Sequence, residues 1–241
     1  MKYLKFILLF NLILSFSANA LLEVNILKSK ETAFPIVIAP FEVIGNSKEN
    51  IDIAKIIRDN LNRSGQFSAL STDALVTNQI DFNFWKEHKK DAVVFGKVEQ
   101  ISPKVYNIYI YIYDVYSEKS LYQKKITVSN TGFRRMAHFL SDKIYYVLLG
   151  QKGSFNTRLS YVTVTENNSG GRTYRLQISD SDGENPQTIV RQSNPILSPA
   201  WSKDQKKLAY VSFKNNRSEV FVMTPFLKTI PIKLPKFDGI A

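Results

Sequence analysis

Ser198-Pro199-Ala200-Trp201-Ser202-Lys203-Asp204-Gln205-Lys206-Lys207-Leu208-Ala209-Tyr210-Val211-Ser212-Phe213 divides into a short strand, a polar turn over 202–206 and an alternating strand. A second polar turn over 214–217 leads into another alternating run, 218–224 (SEVFVMT). Strand, turn, strand, turn, strand within about 40 residues is the pattern of one β-propeller blade. Such a module buries its faces only against neighbours, so a second copy is expected nearby. Upstream, 158–164 (RLSYVTV) aligns without gaps on 207–213 (KLAYVSF). Asn167-Asn168 and Asn215-Asn216 follow as turns, and Leu176 and Ile178 then match Val220 and Val222. A repeat of this kind favours a propeller over a sandwich.

Toward the N-terminus the texture changes. Helical periodicity is strongest over 133–149, with Phe133, Met136, Ala137, Leu140, Ile144, Val147 and Leu148 at helical spacing and Gly150 as the stop. From residue 153 onward that periodicity vanishes, which places a domain boundary at 150–154. Between residues 21 and 150 the run 33–41 (AFPIVIAPF) reads as a strand buried on both faces. A helix follows, capped by Ser47 or Asn50, with Ile53, Ile56, Ile57, Asn60 and Leu61 on one side and an end at Gly65. Short helices are expected over 73–78 and 81–88, with Trp85 turned inward, and strands over 67–70, 91–101, 105–116 and 121–129. The strand 105–116 alternates Ile108, Ile110 and Ile112 with Tyr109, Tyr111 and Tyr113. The Ile side is expected to face the helices, and the Tyr side to meet water or another layer. The fold class is therefore α+β: an N-terminal α/β domain at 21–150, then all-β blades at 151–241.

The first twenty residues read as an export signal. Lys2 and Lys5 precede an apolar run over 6–16, and Ala18-Asn19-Ala20 forms a small-x-small cleavage site, so the mature chain is expected to begin at Leu21 as a soluble exported protein. There is no Cys in the 241 residues, which excludes disulfides, thiolate metal sites and thiol catalysis. Loss of Lys2 and Lys5 with the leader takes two charges off a formal net charge of +11. The remaining lysines are scattered without interleaved aromatic residues, which argues for a solvated basic surface and against nucleic acid.

Chemistry is sparse. His88 and His138 fall in separate helices with no second ligand at i+3 or i+4, so no metal pattern arises. His138 is expected on the helix surface or partly buried. Asp180-Ser181-Asp182-Gly183 resembles the start of a calcium loop but lacks the later acidic ligand, Val190 and Arg191 standing where one is needed; a β-turn is the simpler reading. No G-x-S-x-G, P-loop or dinucleotide fingerprint occurs. No catalytic residue, cofactor or metal is expected. Three surfaces suit binding instead: the N-terminal strand 22–27, available for β-augmentation or forming an edge strand of the first domain; the Tyr109, Tyr111 and Tyr113 face; and the rim and channel of a propeller.

Several motifs together resemble one family. Glu23-Val24-x-Ile26 follows the leader; Pro35-Ile36-x-x-x-Pro40-Phe41 and Asp91-Ala92-Val93-Val94-x-Gly96-x-Val98 come next. Then stand Tyr174-x-Leu176-x-x-Ser179-Asp180-x-Asp182-Gly183 and the Leu197–Val211 segment. In order and spacing they resemble the TolB family of the periplasmic Tol-Pal system across nearly the whole mature chain. That resemblance implies a six-bladed propeller after the α/β domain and a monomeric, non-catalytic scaffold without membrane insertion. It implies that Leu21, Leu22, Glu23, Val24, Asn25, Ile26 and Leu27 form a segment binding TolA, and that the propeller binds the lipoprotein Pal at its mouth. Of these residues, Glu23, Val24 and Ile26 match the family segment. The role implied is outer-membrane integrity and invagination during division.

The sequence departs from the pattern in places. Lys203 and Gln205 stand where the blade motif has Pro and Gly; Gln at positive φ costs on the order of 1 kcal/mol, so a different turn type is expected. The turn after Val222, 224–228 (TPFLK), is unusually apolar. The chain stops after residue 241 where further blades are expected, so the propeller reads as incomplete and Pal binding as impaired. Two other readings remain open: the non-catalytic part of an exported propeller-type peptidase, and a saccharide-binding envelope protein. A nucleophile elbow further along the gene would mark the first, and muropeptide binding without Pal the second.

Overall fold

The computed structural model describes residues 33–45, 52–72, 76, 79–214, 217–227 and 230–235. The leader and Leu21–Leu27 lie outside the described residues, as do Ser47, Asn50 and most of the helix expected over 73–78.

The N-terminal half is built on a five-stranded sheet of order β2-β1-β3-β4-β5. Its strands are β1 (Phe34–Ile44), β2 (Phe67–Leu70), β3 (Ala92–Ser102), β4 (Val105–Asp114) and β5 (Ser120–Ser129). β1 runs parallel to β2 and β3, whereas β3, β4 and β5 form an antiparallel meander. Two helices, α1 (Ile53–Arg63) and α3 (Phe133–Leu149), cover one face, and the short α2 (Phe82–Glu87) carries Trp85 onto the other.

Period-two alternation sorts the strands between these faces. Ile36 and Ile38 of β1, Val94 of β3 and the Ile108, Ile110 and Ile112 row of β4 bury with Ile57, Leu61, Leu140 and Ile144 from the helices. Val37, Ala39, Val93 and Phe95 point the other way and bury with Trp85. The run 33–41 is therefore covered on both sides, as its uniform apolarity implies. Two of the three tyrosines meet a layer: Tyr111 and Tyr113 pack with the Trp85 cluster, and Phe82 of α2 lies 6.1 Å from the Tyr113 ring. Both also stack on Phe95 of the neighbouring strand, at 5.0 and 6.0 Å between centroids. That part of the face is occupied by its own half of the chain.

The caps follow local chemistry. Asp52, rather than Ser47 or Asn50, caps α1, its carboxylate accepting the Lys55 backbone N–H at 2.8 Å. Gly150 ends α3 in the left-handed region at φ 68°.

The C-terminal half contains two antiparallel meanders. β6 (Arg158–Glu166), β7 (Arg172–Asp180) and β8 (Gln187–Gln192) form a three-stranded sheet. β9 (Ile196–Trp201), β10 (Leu208–Ser212), β11 (Glu219–Met223) and β12 (Ile232–Lys233) form a four-stranded one of order β12-β11-β10-β9. Leu176, Ile178, Ile196, Leu208, Tyr210 and Met223 bury together between them.

The gapless repeat holds in the strand pairing. Leu159 pairs with Ser179 as Leu208 pairs with Met223, and Val162 pairs with Leu176 as Val211 pairs with Val220, so the two copies share one register. Burial differs because the core lies between the two sheets and takes the opposite face of each copy. Leu176 and Ile178 face it from the first, and Leu208, Tyr210, Phe221 and Met223 from the second. Leu159, aligned with Leu208, is therefore 46% exposed, and Val220, aligned with Leu176, is exposed as well.

The turn after Trp201 also corrects an expectation. Gln205 does adopt positive φ, at 57°. The bend is held by Gln205 N–H donating to Ser202 O at 2.8 Å, and by Asp204 accepting from the Ser202 hydroxyl at 2.6 Å and the Lys206 N–H at 3.1 Å. The turn type is kept and the residue carries the strain. The apolar turn after β11 has its own explanation: Phe226 stacks parallel to Trp201.

Candidate functional site

One stripe of α3 is polar where an amphipathic helix calls for apolar residues. Arg134, His138 and Ser141 recur at helical spacing, with Asp142 beside them, and they meet the linker 153–157 and the β7–β8 turn. Asp142 accepts backbone N–H groups from Phe155 at 2.8 Å and Asn156 at 3.1 Å, which pins the linker to the helix. Gly153 approaches Asp142 so closely that an added Cβ would collide with it.

The turn joining β7 to β8 is closed by Gly183 N–H donating to Asp180 O at 3.0 Å, with Gly183 at φ 88°. It is a β-turn, as the sequence indicates, but its carboxylates are committed. Arg134 Nε donates to Asp180 Oδ2 at 3.0 Å, and Arg134 Nη2 donates to Asp182 Oδ2. Ser181 donates its hydroxyl to Phe155 O at 2.5 Å.

Behind the guanidinium sits His138, 2% exposed. It is a core residue, not the surface or half-buried one its neighbours in sequence suggest. A chain of donors fixes its tautomer. Ser141 donates its hydroxyl to Ala137 O, and so accepts from Asn60 Nδ2 at 2.9 Å. Arg63 donates to Asn60 Oδ1, fixing the amide's orientation. The second Asn60 amide proton then faces His138 Nδ1 at 2.9 Å. In the neutral ring Nδ1 is therefore the acceptor and Nε2 carries the proton. Nε2 points toward the aspartates, 3.6 Å from Asp182 Oδ2 and 3.9 Å from Asp180 Oδ2, without a hydrogen bond.

The electrostatics follow. Burial is the largest influence on His138 and lowers its pKa; Asp182 and Asp180 pull the other way, and Arg134 and Arg63 add to the lowering. Burial alone would raise the Asp182 carboxyl, but the Arg134 hydrogen bond and the Glu184 backbone N–H outweigh it and hold the pKa below the ordinary aspartate value.

His138, Asp180 and Asp182 bring their ligand atoms within 4.8 Å of one another, close enough to hold a metal ion in principle. The donor set argues otherwise. Both carboxylates are bridged by Arg134, and the Asn60 amide puts the proton on the one histidine nitrogen that faces them. Ser141, the nearest hydroxyl, is committed to Ala137 and Asn60, so the cluster does not form a nucleophile–base pair. The arrangement locks α3, the linker and the first β hairpin together.

Of the surfaces expected from sequence, Leu21, Leu22, Glu23, Val24, Asn25, Ile26 and Leu27 lie outside the described residues. Tyr109, Tyr111 and Tyr113 are half-buried, with the Tyr109 hydroxyl donating to Glu99 at 2.9 Å. His88 is exposed and its Nδ1 lies 2.7 Å from Phe84 O. The Arg134 clamp is a feature that residue-by-residue reading misses. Its trace in the sequence is a pair of polar residues, Asn60 and His138, on the apolar stripes of two helices.

Comparison with known proteins completes the picture. The TolB amino-terminal domain family matches residues 22–121, and the TolB beta propeller domain family matches residues 145–239. The chain is 57% identical over 224 residues to the Tol-Pal system protein TolB of Ruthia magnifica subsp. Calyptogena magnifica, covering 93% of this chain and 53% of that protein. It is 40% identical over 216 residues to the Tol-Pal system protein TolB of Nitrosococcus oceani, covering 88% and 50%. The crystal structure of TolB from Acinetobacter baumannii superposes with a TM-score of 0.74 at 32% identity, over 86% of this chain and 50% of that one. The chain thus spans about half the length of the curated relatives it matches. Two family domains in the same order, a 57% identical relative and a shared fold agree: the chain belongs to the TolB family.

Proposed function

We propose that this chain is a non-catalytic, periplasmic component of a Tol-Pal system, exported by residues 1–20 and working through protein contacts. The observation that carries this reading is the ordered match of both TolB domains along one chain, joined by the Arg134 clamp. In it, residues 21–150 form the α/β domain and 151–241 contribute blades to a six-bladed ring. Leu21–Leu27 dock TolA by adding a strand, the sequence alternating Leu22, Val24 and Ile26 against Glu23, Asn25 and Leu27. The propeller portion engages the lipoprotein Pal, and the system supports outer-membrane integrity and invagination during division. The commitment of the buried Asn60 and Ser141 side chains to structural hydrogen bonds supports a scaffold over an enzyme.

The test is direct. The purified chain from residue 21 onward is immobilised and presented separately with TolA and with Pal. Saturable TolA binding is the expected result. Absence of binding to either partner by the folded chain would refute the proposal.

A further inference from the structure

A second pair of cations lies beside the clamp. Arg135 follows Arg134 in the first turn of α3, and Arg158 begins β6. Asp180 faces Arg158 across the β6–β7 ladder, but its carboxylate is taken by Arg134 Nε at 3.0 Å and Asn185 Nδ2 at 2.9 Å. Among the described residues neither Arg135 nor Arg158 has an ion-pair partner. Arg158 instead sits over Phe226, its guanidinium carbon 3.9 Å from the ring centroid, and Phe226 stacks on Trp201. Burial, and after it the charge of Arg135, disfavours the Arg158 cation. Both Arg134 and Arg135 sit where the helix dipole is already positive, and no side chain caps that end of α3.

The same corner collects unused donors. Arg135, Arg158 and Gln205 line a recess of about 60 Å³ together with Asp180 and His138. Arg158, Gln205 and Trp201 line an adjoining one of about 100 Å³. The Trp201 indole Nε1 is buried and has no acceptor among the described residues, a costly omission for a buried donor. Gln205 reaches this corner from a strained backbone conformation, φ 57°. Both recesses are of a size for a group of a few non-hydrogen atoms, and an open groove of about 470 Å³, also lined by Arg135, Arg158 and Phe226, continues from them.

We propose that this corner is a carboxylate-binding site, taking the side chain of an acidic residue on a peptide laid along the groove. The three arginines set against Asp180 and Asp182 leave one positive charge uncompensated, which fits a singly charged oxyanion better than a dianionic phosphate. The planar forks of Arg135 and Arg158 suit a carboxylate, and the aromatic pair Trp201 and Phe226 suits the aliphatic stem behind it. Nothing in this assignment depends on TolA or Pal.

The chain has two tryptophans, so the indole N–H signals of Trp85 and Trp201 give a probe and an internal control. The ¹⁵N-labelled full chain is titrated at constant ionic strength with N-acetyl-glutamate amide, with N-acetyl-glutamine amide and with inorganic phosphate. The expected result is a saturable shift of the Trp201 signal with the glutamate compound alone, with Trp85 unmoved. Arg158→Gln should weaken that binding about tenfold or more. Arg135→Gln gives an independent second reading if Arg158→Gln loses the Trp85 signal of the folded chain. A Trp201 signal that does not move, that moves equally with the glutamine compound, or that saturates at lower phosphate than glutamate concentration would overturn the assignment.

Discussion

His138 Nε2 lies 3.6 Å from Asp182 Oδ2, while its Nδ1 accepts a proton from Asn60 at 2.9 Å. The ring is thus gripped from α1 on one side and faces the β7–β8 turn on the other. Protonating Nδ1 would set it against the Asn60 amide hydrogens, so the neutral form suits the folded chain.

The pH dependence follows from that. The folded-state pKa of His138 is depressed below the ordinary value of 6.5 by burial, so the unfolded chain takes up the proton more readily. The stabilisation is complete above 6.5 and is lost as pH falls through the depressed value. Asp182, also depressed, adds a loss of the same sign at still lower pH. Urea midpoints measured from pH 7.5 down to pH 5 are expected to fall, and His138→Gln is expected to flatten the profile. An unchanged slope in the variant would exclude His138 as the cause.

Arg134 bridges two part-buried carboxylates at once. Arg134→Met is expected to cost about 2 kcal/mol by leaving both without their donor. Asp182→Asn in the same chain should recover part of that loss, because it removes one of the stranded charges. A double-mutant cycle with no coupling between positions 134 and 182 would show that the bridge contributes nothing.

Gly96 has no room for a side chain. An added Cβ would run into the Phe41 ring and the Tyr109 carbonyl, at the point where the β1–β3 register slips between Ile38 and Phe41. Gly96→Ala should therefore destabilise the chain by about 2 kcal/mol, chiefly by displacing Phe41. Thermal unfolding checks this, and an unchanged midpoint would mean the bulge relaxes freely.

Gln205 offers the opposite case. Gln205→Gly releases a non-glycine residue from φ 57° and is expected to stabilise the chain by about 1 kcal/mol. Equal or lower stability would imply that the Gln205 side chain contributes contacts that offset the strain.

Much of the architecture was legible in the sequence because it rests on periodicity. α3 runs from Phe133 to Leu149, as its apolar spacing and Gly150 indicate, and Ile108, Ile110 and Ile112 bury as a row. The repeat holds in the pairing as it does in letters, Leu159 with Ser179 matching Leu208 with Met223. Two things were not legible, each for a physical reason. The α1 cap fell to Asp52 because competing capping residues stand within a few positions of one another. The Arg134 clamp joins residues 48 positions apart, and only the folded chain brings Asp182 under α3. Asn60 on an apolar stripe was the visible sign of it.

The proposed function puts TolA contact on the first mature residues, Leu21–Leu27. Calorimetric titration of TolA into the purified chain, with and without residues 21–27, tests this most directly, provided thermal unfolding shows both forms folded. The account predicts saturable binding to the longer form and none to the shorter. Equal binding by both forms would contradict it.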